Sequence, residues 1–204
     1  MAENSNNNNG NKRVAVVGIA GVGKTTVISQ AAKILNQKGH KTAVVVFGTT
    51  MLEEAKKIGL KNRDEIRNLP IKDQQHLQDM AAKRIAEMKD NIVIVDTHVF
   101  INTTEGYYPG LPMRLLNIIK PTHMVMIAAD PQEILNRRKS NGTRQRDIIS
   151  EENIQHELDI SKVMVTSCSV LTGSPFIIIT NNDNKTDEAA SYLIKVLAGG
   201  AKKK

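Results

Sequence analysis

Residues Gly18, Ile19, Ala20, Gly21, Val22, Gly23, Lys24 and Thr25, with Thr26 after them, match G-x-x-x-x-G-K-[ST] at every fixed position. A β-branched run, RVAVVG, leads into them, and a helical pattern follows in which Val27, Ala31 and Leu35 recur four apart before Gly39 stops it. A strand, a glycine loop and a helix in that order leave few folds open. The loop's amides and the positive end of the helix then converge on one point. Three glycines let N–H groups turn inward around a phosphate without side-chain clash. Lys24 is spaced to reach the β and γ phosphates of a nucleotide, and the Thr25 hydroxyl to ligate magnesium. The whole of 18–26 reads as a nucleotide-binding loop.

The rest of the 204 residues alternates in the same manner. TAVVVF (42–47), NIVIVD (91–96), THMVMIAA (122–129) and PFIIIT (175–180) read as further strands. Residues 51–89 read as mostly helical, with Pro70 in a first turn and Leu77, Ala81, Ile85 and Met88 as one apolar stripe. A short helix is expected over 112–119. Another runs over 131–139, with Asp130 as N-cap, Pro131 first and Glu133 reaching back. A polar loop spans 140–149; Ser150 then opens a long helix to about Leu171, and a last helix covers 185–198. Strands alternating with helices predict an α/β, P-loop three-layer fold: a five-stranded parallel sheet with helices on both faces. Residues 1–11 read as a disordered leader, 12–198 as one domain and 199–204 as a basic tail.

Composition narrows the class. The single cysteine, Cys168, excludes an internal disulfide and reads as buried mid-helix packing; with no Cys-x-x-Cys, a zinc-bearing loop is excluded too. No apolar run approaches the ~20 residues of a membrane span, and none near the start resembles a signal peptide. A cytoplasmic protein without a membrane role is expected. The net charge of +7 favours anionic partners, and three of those charges are the terminal Lys202, Lys203 and Lys204. Three Phe, three Tyr and no Trp are poor material for stacking on bases, so a nucleic-acid partner is not expected.

The reaction is read from what surrounds the loop. Asp96 closes the third strand, where doubly wound sheets place their ligands, and its carboxylate is a candidate magnesium ligand. His98 is a candidate for facing a substrate base. A guanine-nucleotide switch usually carries Asp-x-x-Gly there, whereas this chain has Asp96-Thr97-His98-Val99. Thr180-Asn181-Asn182-Asp183 lacks the lysine of a base-reading motif and reads as a polar loop. Arginines favour transfer to a second phosphate, since that reaction is mostly positioning and charge stabilisation. Arg63 and Arg67 stand one helical turn apart. Arg137, Arg138, Arg144 and Arg146 flank Ser140-Asn141-Gly142, where a mobile lid would exclude water. The rival reading is a P-loop GTPase or ATPase switch that regulates a partner.

GIAGVGKTT (18–26), NRDEIRNLP (62–70), DTH (96–98), GYYPGLP (106–112) and TRQRD (143–147), in this order, resemble the archaeal-type adenylate kinases. The resemblance covers about residues 12–198. It implies reversible transfer from MgATP to AMP giving two ADP, in a homo-oligomer that is often a trimer. It also implies a nucleoside-monophosphate-binding insertion at about 48–89 and a short lid at about 139–149. By that analogy Arg63 and Arg67 hold the AMP phosphate, and the GYYPGLP segment, with Tyr108, borders the AMP base; His98, the candidate for facing a substrate base, joins them as an AMP contact. Arg137, Arg144 and Arg146 join Lys24 around the transferring group. Where related kinases place a further arginine on the next helix, this chain has Lys162.

Overall fold

The computed structural model describes residues 11–103, 105–140 and 150–199. The chain runs β1 (Lys12–Val17), α1 (Lys24–Gln37), β2 (Thr42–Val46), α2 (Phe47–Lys57), α3 (Arg63–Arg67), α4 (Ile71–Ala86) and β3 (Ile92–Asp96). It continues through β4 (Phe100–Thr103), β5 (Gly106–Pro109), α5 (Met113–Ile119), β6 (His123–Ala128), α6 (Pro131–Ser140), α7 (Glu151–Thr172), β7 (Phe176–Thr180) and α8 (Thr186–Ala198). Five strands pair in parallel in the order β2-β3-β1-β6-β7. Every residue of β3 is buried, as are Val14–Val17 of β1 and Met124–Ile127 of β6. Strands without a wet face must be covered twice, and α1 packs with α8 while α5 packs with both α4 and α7. The α/β parallel-sheet expectation is borne out.

Periodicity explains most of the helices. Val27, Ala31 and Leu35 lie on the buried side of α1, and Gly39 ends it with φ 84°. Asp130 caps α6 by accepting from the N–H groups of Gln132 at 2.9 Å and Glu133 at 3.3 Å. Ser150 caps α7 through the Asn153 N–H, and Cys168 is buried on that helix.

Other elements differ from the sequence reading. The second strand stops at Val46 and Phe47 already opens α2. Residues 51–89 break into separate helices at Gly59, with φ 92°, and before Pro70. Pro70 is the N-cap of α4 rather than part of its first turn, with ψ at 146°. The residue before a proline is driven out of the helical region, which also ends α3 at Arg67. Leu77, Ala81 and Ile85 are buried, whereas Met88 lies beyond the end of α4 and is partly buried. Glu133 does not reach back to its cap: its carboxylate accepts from the Asp183 N–H at 2.8 Å and from Arg137 at 3.2 Å.

The antiparallel hairpin β4–β5 has no counterpart in that reading. Phe100 stands opposite Pro109 and Ile101 opposite Tyr108. Gly106, with φ 114°, makes the turn that only glycine takes easily. The Phe100 and Tyr107 rings meet edge-on at 4.8 Å, and Tyr107 lies 6.2 Å from the His156 ring of α7. The expected leader falls largely on 1–10, the lid with Arg144 and Arg146 on 141–149, and the tail on 200–204. All three lie outside the described residues.

Candidate active site

The loop after β1 sits at the middle of the sheet, and Val16 is in register with Asp96 of β3. That register sets the loop beside the carboxyl end of β3. Gly21 and Gly23 have φ of 90° and 76°, which admits no ordinary side chain without strain. A Cβ on Gly18 would come within 2.7 Å of the Ile127 carbonyl oxygen. Gly23 opens α1, whose start has no side-chain cap and no carboxylate in its first turn. Among the long helices α7 has a side-chain cap; α1 instead directs bare N–H groups at the cleft.

The cleft has a volume of about 730 Å³, enough for a ligand of nucleotide size. The P-loop residues Ile19 to Thr26, Val22 aside, form its floor. Lys24 is buried, its Nζ in contact with a carboxylate oxygen of Asp96, itself buried. Burial pulls the Lys24 ammonium down to about 8 from 10.5. Thr25 and Thr26 are exposed on the cleft wall.

One wall comes from α2–α4 and the hairpin. Phe47, Gly48, Met51, Arg63 and Gln78 line it together with His98, Ile101 and Gly110. Arg63 donates to Thr49 Oγ1 at 3.4 Å. Arg67 does not line the cleft; it is exposed and paired with Asp64 at 2.9 Å. His98 opens to the cleft, yet the crowding of protein atoms, then the Lys24 and Arg63 charges, hold its pKa below the usual histidine value. The shift favours the neutral imidazole, in which one nitrogen donates and the other accepts. Gly110 is there for contact: a Cβ would come within 2.1 Å of the His98 carbonyl oxygen, and its N–H bonds Val99 O at 2.8 Å. Tyr108 is exposed in β5 and outside the lining, though its cross-strand partner Ile101 belongs to it.

Gln78 escaped the sequence reading. Arg114 of α5 donates to its Oε1 at 2.7 Å and also contacts Asp79 and the Gln75 carbonyl oxygen. Only the packing of α4 on α5 brings these residues together, and no local pattern announces it.

The opposite wall joins α6 to the segment after β7. Arg137 donates to Asp183 Oδ1 at 2.9 and 2.5 Å, to the Asn181 carbonyl oxygen at 3.1 Å and to Glu133 at 3.2 Å. It lines the cleft with Asn181, Asn182, Asp183 and Asn184. Residues 181–184 are therefore more than the polar loop the sequence suggested: Asn181 is 2% exposed and its side chain bonds the P-loop. Lys162 is exposed on α7 and does not line the cleft. Among the described residues, no group of three or more His, Cys, Asp or Glu side chains could hold a metal by itself.

A P-loop floor with cations on both walls suits a donor and an acceptor at once. A family model described as an AAA domain matches residues 17–155. An adenylate kinase of Methanocaldococcus jannaschii is 43% identical over 92% of this chain and 98% of its own. Adenylate kinases of Thermoplasma acidophilum and Pyrococcus furiosus are 43% and 41% identical over 91% and 90% of this chain, and 98% and 94% of theirs. The chain belongs to the adenylate kinase family. It is a nucleoside monophosphate kinase by kinship with enzymes of nearly equal length. A crystal structure of shikimate kinase from Bacteroides thetaiotaomicron, 15% identical, superimposes with a TM-score of 0.53 over 92% of this chain and 98% of its own, which speaks for the fold alone. Among the described residues no helix is long and apolar enough to cross a membrane.

Proposed function

We propose that the protein transfers the γ-phosphoryl group of MgATP reversibly to AMP, giving two ADP. The observation that carries this reading is a single cleft with the P-loop at its floor, Arg63 and His98 on one wall and Arg137 on the other. A donor seated on the P-loop and an acceptor held from the Arg63 wall would bring their reacting groups together over Lys24. Lys24 neutralises the charge that moves during transfer. Backbone N–H groups of the P-loop and of the start of α1 hold the donor's phosphates. Arg63 supplies a fork for the acceptor phosphate. His98 and Gln78 offer donors and acceptors to the acceptor base, with Tyr108 on the neighbouring hairpin. Arg67, on the same short helix as Arg63, is a second cation for the acceptor side. For Arg144 and Arg146 the support is the sequence resemblance.

Magnesium suits the residues present. The Thr25 hydroxyl and Asp96 carboxylate are hard oxygen donors, and both residues line the cleft. Two protein oxygens without a full cage are what magnesium uses when substrate phosphates complete its shell. Bound there with the donor, magnesium screens phosphate charge. A cytoplasmic homo-oligomer, a trimer by resemblance, completes the reading; light scattering tests the assembly.

A coupled assay that follows ADP tests the reaction. MgATP with AMP should give ADP faster than MgATP with UMP, CMP or GMP. Slow ATP hydrolysis indifferent to AMP would favour the switch instead, and a pyrimidine preference would refute AMP as the acceptor.

A further inference from the structure

Three consecutive P-loop carbonyl oxygens are each held by a side chain from a distant part of the chain. Arg138 Nε donates to Ala20 O at 2.9 Å. Arg137 Nη1 donates to Gly21 O at 3.4 Å. Asn181 Nδ2 donates to Val22 O at 2.8 Å. The carbonyl and N–H of a trans peptide point in opposite directions. Fixing these carbonyls therefore turns the N–H groups of Gly21, Val22 and Gly23 the other way, toward the phosphate side of the loop.

The anchors are themselves rigid. Arg138 is 4% exposed and also donates to Glu157 of α7 at 2.9 Å. Asn181 is 2% exposed; its N–H bonds Ala128 O at 2.7 Å and its carbonyl accepts twice from Arg137. Both sit hard against the loop's glycines. A Cβ on Gly23 would come within 2.4 Å of Asn181 Nδ2, and one on Gly21 within 3.2 Å of Arg138 Cγ. Among the described residues, the buried Asn181 Oδ1 has no hydrogen-bond partner. The amide is thus held there for its donor end, at the cost of a stranded acceptor.

We infer that Asn181 and Arg138 are positioning residues that set the P-loop peptides in their phosphate-binding orientation before nucleotide arrives. The inference rests on reading residues 18–25 as the donor-phosphate cradle. A loop free to turn its peptides would be competent only part of the time, and apparent affinity falls by that fraction. Loss of an anchor should weaken donor binding, leave acceptor binding alone and spare turnover at saturation.

Calorimetric titration of the intact protein separates the cases, using ATP, tripolyphosphate and AMP at fixed magnesium. Asn181→Ala should raise the Kd of ATP and of tripolyphosphate alike by about five- to tenfold, or about 1–1.4 kcal/mol. The AMP Kd should stay within about twofold, and kcat at saturating MgATP within about threefold. Arg138→Gln, at the other end of the row, should behave alike and serves if Asn181→Ala melts below the assay temperature. Weakened ATP with unchanged tripolyphosphate would mean that Asn181 contacts the nucleoside, and would overturn the inference. So would unchanged donor affinity, or equal loss of ATP and AMP binding. If the wild-type protein bound neither ATP nor tripolyphosphate, the cradle reading itself would fall.

Discussion

Lys24 and Asp96 stand at the floor of the cleft, each buried and each the other's counter-ion. Removing the lysine has two effects of different kind. Transition-state charge loses a donor, which costs about 10²–10³ in rate in comparable sites. Asp96 also loses its partner, and breaking a buried pair costs about 3–5 kcal/mol unless the survivor takes up a proton. Lys24→Ala should therefore lower kcat by about 10²–10³, with a lower melting temperature but intact circular dichroism at the assay temperature. Full activity in that folded variant would remove Lys24 from the mechanism. Gly110 makes a sharper steric case. A methyl within 2.1 Å of the His98 carbonyl oxygen must displace the root of the hairpin and, with it, His98. Gly110→Ala should raise the KM for AMP by about tenfold, in line with ~1–3 kcal/mol of overpacking, and leave the KM for MgATP within about twofold.

Helix α3 spans only Arg63–Arg67, yet its two arginines have different surroundings. Arg63 lines the cleft, whereas Arg67 is tied to Asp64. Arg63→Ala should raise the KM for AMP several-fold with kcat little changed, and more than Arg67→Ala does; steady-state kinetics at saturating MgATP would show the reverse order if the assignment were wrong. The support beneath α3 comes from α2 and α4, joined by Glu54 with Lys57 and Arg84. Hydrogen bonds from Lys57, outweighing the opposing effect of burial, and then those from Arg84 hold the Glu54 carboxyl below its ordinary 4.5. A depressed carboxyl stabilises the fold above its unfolded pKa and loses that contribution as pH falls through the folded one. The melting-temperature gap between wild type and Glu54→Gln should thus be widest near neutral pH and narrow as pH falls below the ordinary 4.5. The P-loop and the parallel strands were legible in the sequence because their signals are local: fixed spacing, β-branched runs, a glycine stop. The hairpin was not, since Phe100, Tyr107 and Tyr108 read as strand only once paired. Asn181 and Gln78 were not either, because each acquires its partner from an element far along the chain.

At the scale of the whole molecule, ligands that bind only the folded chain should raise its stability by mass action. At a hundredfold excess over Kd, ATP adds about 2.7 kcal/mol. For a domain of this size that is about 5–10 °C in melting temperature, read by a thermal shift with ATP against an equal concentration of uridine as control. No shift would mean that the cleft does not bind ATP. The row of anchored carbonyls has another consequence, for the order in which the protein becomes useful. The motif at 18–25 is made before either anchor, for Arg138 lies 118 residues from its carbonyl partner and Asn181 lies 159 from its own. At ~5–20 residues per second, the last anchor is synthesised about 8–30 seconds after the loop it holds. Until that anchor is made, a nascent chain carries the full signature of a nucleotide site with its loop peptides only partly held, and it gains less from ATP than the anchored fold does.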